Sequence, residues 1–208
     1  MPDATTTIET VTVVRPLKVI SLICELLALL MLLLSLSTCA WLKAGSYFKT
    51  GLFRECTFAD PAGNLLPVGA PPSGICQPSR IILKAYFQIT AALLVLAAAG
   101  VLAGVCMTAA GLRTVNYGQR YLFYRIAMYL SLIALLAEII SLIVFPVCFY
   151  LELENWSGTT WELDWSYGVG WGGSICTFFA CLLLIADKEH EEVYYKEKTV
   201  YTNSHMVV

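Results

Sequence analysis

The chain reads as an α-helical membrane protein that crosses a bilayer four times. Four apolar runs, 19–41, 85–112, 126–151 and 169–186, each approach or exceed the ~18 to 20 residues that a helix rising ~1.5 Å per residue needs to traverse ~30 Å of hydrocarbon. None carries the polar stripe that a water-facing helix would need, which excludes a soluble bundle. Composition agrees: with 58% hydrophobic and 13% charged residues and a mean hydropathy of +0.71, there is too little polar surface to coat a soluble domain of 208 residues. In lipid every backbone amide needs a partner within its own segment, so each run is expected to be helical.

Residues 1–18 form a short N-terminal segment ending in Arg15 and Lys18. Thr38, Cys39 and Ala40 at the end of the first run look like a cleavage site, but the run exceeds the ~7 to 15 residues of a signal core and is expected to stay as an anchor. A long loop, 42–84, follows, then the second run, a connector at 113–125, the third run, a shorter loop at 152–168, the fourth run and a tail at 187–208. Four crossings place both termini on one side. Arg15, Lys18, Arg113, Arg120, Arg125, Lys188, Lys196 and Lys198 lie on the terminal side, against Lys43, Lys49, Arg54, Arg80 and Lys84 across the membrane, so the termini read as cytoplasmic.

Cysteine placement agrees with that orientation. Of eight cysteines, six fall within the apolar runs, and only Cys56 and Cys76 lie in an aqueous loop, the same one. A pair there suits an oxidising compartment, and a Cys56–Cys76 bridge would stabilise the loop by about 3 kcal/mol on the chain-entropy model. Asn155-Trp156-Ser157 in the second loop is a glycosylation sequon, close to the end of the third run.

The stretch from Trp41 to Cys56, with aromatic and aliphatic residues spaced by polar ones, reads as short strands and a turn. The insert between the cysteines, rich in proline and glycine, reads as turns. Trp41, then Gly51-Leu52-Phe53-Arg54-Glu55-Cys56, then Cys76 resembles the W, G-L-W, C, C signature of the claudin and peripheral myelin protein superfamily, with Phe53 where the signature has tryptophan. Pro16-Leu17-Lys18, Ile140 to Val147 (ISLIVFPV) and Asp164 to Gly172 (DWSYGVGWG) resemble its PERP and brain cell membrane protein (transmembrane protein 47-like) branch. The resemblance implies a left-handed four-helix bundle carrying a small extracellular β-sheet, and a place at cell-cell junctions in the plasma membrane.

Pro146 lies near the outer end of the third run, where neighbours or water can meet its lost hydrogen bond. Trp156, Trp161, Trp165, Tyr167 and Trp171 read mostly as anchors at the outer lipid boundary or as sheet packing. Glu25 and Glu138 are the ionisable residues inside the spans, each costing on the order of 3 kcal/mol if charged at mid-bilayer. Glu138 sits near the middle and Thr177 at about its depth, which predicts a protonated Glu138 hydrogen-bonded between helices, beside a close-approach face made by Gly100 and Gly104. Glu25 is expected lower, within reach of interfacial water or a lysine, and unpartnered with Glu138. Cys24, Cys106 and Cys181 read as apolar packing.

The first loop is basic and the second acidic, with Glu152, Glu154, Glu162 and Asp164. These could pair within one molecule at a sheet edge, or between molecules in cis or trans. The tail carries no hydrophobic period and is expected to lack structure beyond its first turns. Its end, with Met206 and Val208, fits a PDZ groove by strand addition. The two histidines, His190 and His205, both lie in the tail, and there is no Cys/His metal spacing or phosphate-cradling loop, so neither catalysis nor a cofactor is expected. The absence of a basic patch with interleaved aromatics argues against nucleic-acid binding. The expected partners are lipid, further copies of the chain, junctional adhesion proteins and a cytoplasmic scaffold, in a structural role in adhesion or barrier assembly. A claudin-like paracellular channel and an auxiliary subunit of a channel or receptor are the rival readings.

Overall fold

A computed structural model describes residues 6–10, 16–45, 47–58, 70–79, 84–152, 160–186 and 195–199. Four helices, each long and apolar enough to cross a membrane, carry a five-stranded antiparallel sheet at one end. The helices are α1 (Pro16–Ser37), α2 (Ala85–Arg113), α3 (Tyr117–Glu152) and α4 (Trp165–Ala186). The most extensive helix contacts join α2 to α3 and α1 to α4, and α1 on α2 with α3 on α4 closes the ring.

The burial pattern is inverted relative to a water-soluble bundle. The inward face of α1 is Lys18, Ser21, Glu25, Ala28, Leu32, Ser35 and Leu36, whereas Ile23, Leu26, Leu27, Leu30, Leu33 and Leu34 point outward. Helices that expose leucine and bury hydroxyl and charge suit an apolar solvent.

Element boundaries depart from the apolar runs where side chains rather than hydropathy decide. Helix α1 opens on Pro16, whose fixed φ suits a first turn, and ends at Ser37 instead of Trp41. The chain leaves the helix there so that Trp41 can fold under the sheet. Helix α4 starts at Trp165, four residues before the apolar run, because Oδ1 of Asp164 accepts the Trp165 amide at 2.8 Å. Only Thr114–Asn116 separates α2 from α3, so most of the expected 113–125 connector is helix. Helix α3 also runs through Pro146 without ending. Proline leaves the carbonyl four residues earlier without its amide, and the hydroxyl of Tyr167 on α4 donates to that Leu142 oxygen at 2.7 Å.

The strands are β1 (Thr6–Thr10), β2 (Leu42–Ala44), β3 (Phe48–Thr50), β4 (Arg54–Thr57), β5 (Cys76–Pro78), β6 (Trp161–Leu163) and β7 (Tyr195–Thr199). The five-stranded sheet runs β5-β4-β3-β2-β6, so β6, from the segment between α3 and α4, completes a sheet begun between α1 and α2. Gly45, with φ +60°, supplies the left-handed residue after β2. A second, two-stranded pair contradicts the structureless tail. Strand β7 runs antiparallel to β1, with Thr6 opposite Thr199 and Thr10 opposite Tyr195.

Candidate functional site

The sheet and its junction with the helix ends concentrate the features that the sequence singled out. Strands β2 and β3 alternate: Leu42, Ala44, Phe48 and Thr50 are buried, while Lys43 and Lys49 lie on the other face. Register carries that second face across the sheet as Glu162, Lys43, Lys49, Cys56 and Cys76. Lys43 and Lys49 stand directly opposite each other, a repulsive arrangement unless compensated. Compensation comes from beyond α3: Glu162 pairs with Lys43 at 2.9 Å and Asp164 with Lys49 at 2.7 Å. Lys84, before α2, pairs with Glu152 at the end of α3. The basic and acidic segments therefore meet within one molecule. Hydrogen bonding and charge from Glu162 raise the Lys43 ammonium above its ordinary value. Burial pushes the Asp164 carboxyl up, but bonds from Lys49 and the Trp165 amide, with the two lysine charges, outweigh it and hold the group below the usual carboxylate range.

Cys56 and Cys76 occupy directly opposed positions on β4 and β5 and are disulfide-bonded. Cys39 and Cys148 remain free thiols, as do Cys24, Cys106, Cys176 and Cys181. Cys181 is buried, as apolar packing requires, whereas Cys106 faces outward.

The buried face rests on an aromatic cluster. Trp41 is fully buried, its ring centroid 5.0 Å from Phe145 and 5.6 Å from Tyr167 in edge-on geometry, and Phe87 lies 5.1 Å from Phe145. Its Nε1 donates to the Ser35 carbonyl at 2.7 Å. Around it α1 and α4 are clasped: Ser35 Oγ donates to the Ser166 carbonyl at 3.0 Å, and the Asp164 and Ser166 amides donate to Trp41 and Ala40 carbonyls. Gly51 approaches the end of α1 so closely that an added Cβ would collide with the backbone of Thr38 and Cys39, which accounts for glycine there. Leu52 is fully buried, but Phe53 is 40% exposed and takes no part in the core. The aromatic anchors divide too. Trp161 is buried between Phe48 and Phe149 and Tyr167 is half-buried, while Trp165 and Trp171 remain exposed at the start of α4.

Deep in the bundle both carboxyl groups are fully buried. Thr177 Oγ1 lies 3.2 Å from Glu138 Oε1 and 3.1 Å from its own helix's Gly173 carbonyl, joining α4 to α3. Glu25 departs from expectation, because it is fully buried and pairs with no lysine among the described residues. Ser131 of α3 donates to its Oε1 at 3.0 Å, and Gly104 packs against both. The lysine that might have served it, Lys18, is itself buried at the far end, its Nζ donating to the Leu184 carbonyl at 3.4 Å and lying 4.7 Å from the Tyr124 ring centre. The close-approach face also serves a different partner: Gly100 and Gly104 bring α2 against Ala134 and Ser131, next to Glu25 rather than Glu138. Ser131 was the residue missed, and no spacing in the sequence ties it to Glu25, 106 positions away. Asn155, Met206 and Val208 lie outside the described residues. No family model matches the chain.

Proposed function

We propose that this chain is a four-pass plasma-membrane protein of cell-cell junctions, related to the claudin and peripheral myelin protein superfamily, with a structural role in adhesion or barrier assembly. In this reading the bundle is left-handed, both termini are cytoplasmic, and the five-stranded sheet is the extracellular surface. The observation that carries it is the sheet itself: two separate segments build one disulfide-tied platform seated on four span-capable helices. The buried Trp41, the glycine demanded at position 51 and the buried Leu52 are the positions of the signature that the packing uses. Glu138 and Thr177 act as neutral interhelical glue, with Thr177 Oγ1 shared between the Glu138 carboxyl and the Gly173 carbonyl.

The paracellular-channel alternative needs a row of like charge along the sheet, whereas Lys43 and Lys49 each have an acidic partner. Self-association in cis or trans then draws on surfaces other than those ion pairs. Partners in this reading are lipid, further copies of the chain, junctional adhesion proteins and a PDZ scaffold at the C-terminal end. The test is a mixed culture of cells with and without a tagged copy, with an epitope at each terminus. Enrichment confined to expresser-expresser contacts, with epitopes accessible only after permeabilisation, is the expected result. Uniform surface distribution, or N-terminal labelling of intact cells, would overturn it.

A further inference from the structure

Three cations of the sheet end have acidic partners; a fourth does not. Arg54, the first residue of β4, is exposed and forms no ion pair among the described residues, while Lys43, Lys49 and Lys84 are each matched. Arg54 lies on the wall of a groove of about 360 Å³ between the sheet and the end of α1. Thr38, Cys39 and Ala40 form one side of it, and Phe58 and Trp165 supply apolar surface. Both aromatic residues are substantially exposed, Trp165 at 54% and Phe58 at 46%. The groove opens where α1 ends and α4 begins, the level at which span-length helices leave hydrocarbon for water.

We propose that this groove binds one glycerophospholipid, its phosphate held by Arg54 and its glycerol and upper acyl chains lying against Trp165 and Phe58. Charge assigns the ends. The last carbonyls of α1 disfavour an anion beside Thr38, so the phosphate belongs on the Arg54 side and the uncharged part beside Ala40. Guanidinium suits phosphate because its planar donors can engage two oxygens at once. The volume is at the small end of small-molecule sites. The proposal rests on the membrane-spanning part of the proposed function and is independent of the junctional part.

Full-length protein purified in detergent is to be offered dioleoyl phosphatidylglycerol or dioleoylglycerol, and retained lipid counted by native mass spectrometry. One phosphatidylglycerol per chain is expected, with little dioleoylglycerol. Arg54→Gln lowers retention roughly tenfold, the scale of losing hydrogen bonds to a charged group, and Arg54→Lys falls between. Unreduced peptide mass verifies that the Cys56–Cys76 bond is intact in each variant, and Trp165→Ala, which leaves the sheet untouched, must also lower retention. Equal retention by Arg54→Gln, equal retention of dioleoylglycerol, or displacement by inorganic phosphate overturns the proposal. Liposome flotation separates the two readings: a chain that floats yet retains no phospholipid overturns this proposal alone, and one that does not float overturns both.

Discussion

The sheet end and the middle of the bundle hold polar groups by opposite means. At the sheet end, full charges face one another across short ion pairs, and a disulfide ties the strands. In the middle, each buried carboxyl meets a hydroxyl, Ser131 for Glu25 and Thr177 for Glu138, with no cation paired to either among the described residues. Water makes the difference. Near it an ion pair carries little desolvation cost, whereas inside hydrocarbon a neutral hydrogen bond is the cheaper connection between helices.

The contrast can be broken most forcefully at the layer between the two regions. Trp41→Ala should cost about 3–5 kcal/mol, since it empties the space between Phe145 and Tyr167 and removes the bond to Ser35; thermal unfolding in detergent reads the loss. A smaller effect would mean that the sheet is not anchored through this residue. Cys56→Ser should remove about 3 kcal/mol from the sheet while helix content by circular dichroism persists. Simultaneous loss of both signals would show the two regions to be one cooperative unit.

The contrast sharpens with gentler changes. Glu138→Gln, which keeps size and hydrogen bonding but cannot ionise, should change stability by less than about 1 kcal/mol in the same melts. A large loss would mean that the middle of the bundle needs a charge after all. The smallest effect is expected from acid. Asp164 has a folded-state value below its ordinary one, so its contribution is complete above the unfolded value near pH 4 and disappears as pH falls through the folded value. With the Lys49 pair near the surface this is worth about 1 kcal/mol or less, so a melting temperature flat from pH 7 to about pH 4.5 and falling below pH 4 is the expected curve.

Much of this architecture is legible in the sequence because lipid imposes a simple rule of length and apolarity. That rule locates four helices but not their ends, which Asp164 as a cap, Pro16 as a first residue and Trp41 as a core side chain determine. The Cys56–Cys76 bond could be read because two cysteines share one loop, and Glu138–Thr177 because helical rise gives depth. The partner of Glu25 is not legible for want of rotation: depth says how far a residue lies along an axis, not which neighbour it faces, and Ser131 carries no signal of its own. Strand β6 was equally hidden, since three residues, Trp161 to Leu163, are too few for a pattern until β2 lies beside them. The pairing of β1 with β7 joins segments at least 185 positions apart, Thr10 and Tyr195 being the nearest opposed pair, and has no hydrophobic period to announce it.

That borrowed sixth strand has a practical outcome for anyone engineering the molecule. Because Leu42, Lys43 and Ala44 lie opposite Leu163, Glu162 and Trp161, a graft that exchanges only the 42–84 region would inherit an edge without its mate and a lysine without its counter-charge. A transplantable unit must include 160–164 as well, so that donor and recipient swap two pieces of chain to move a single surface.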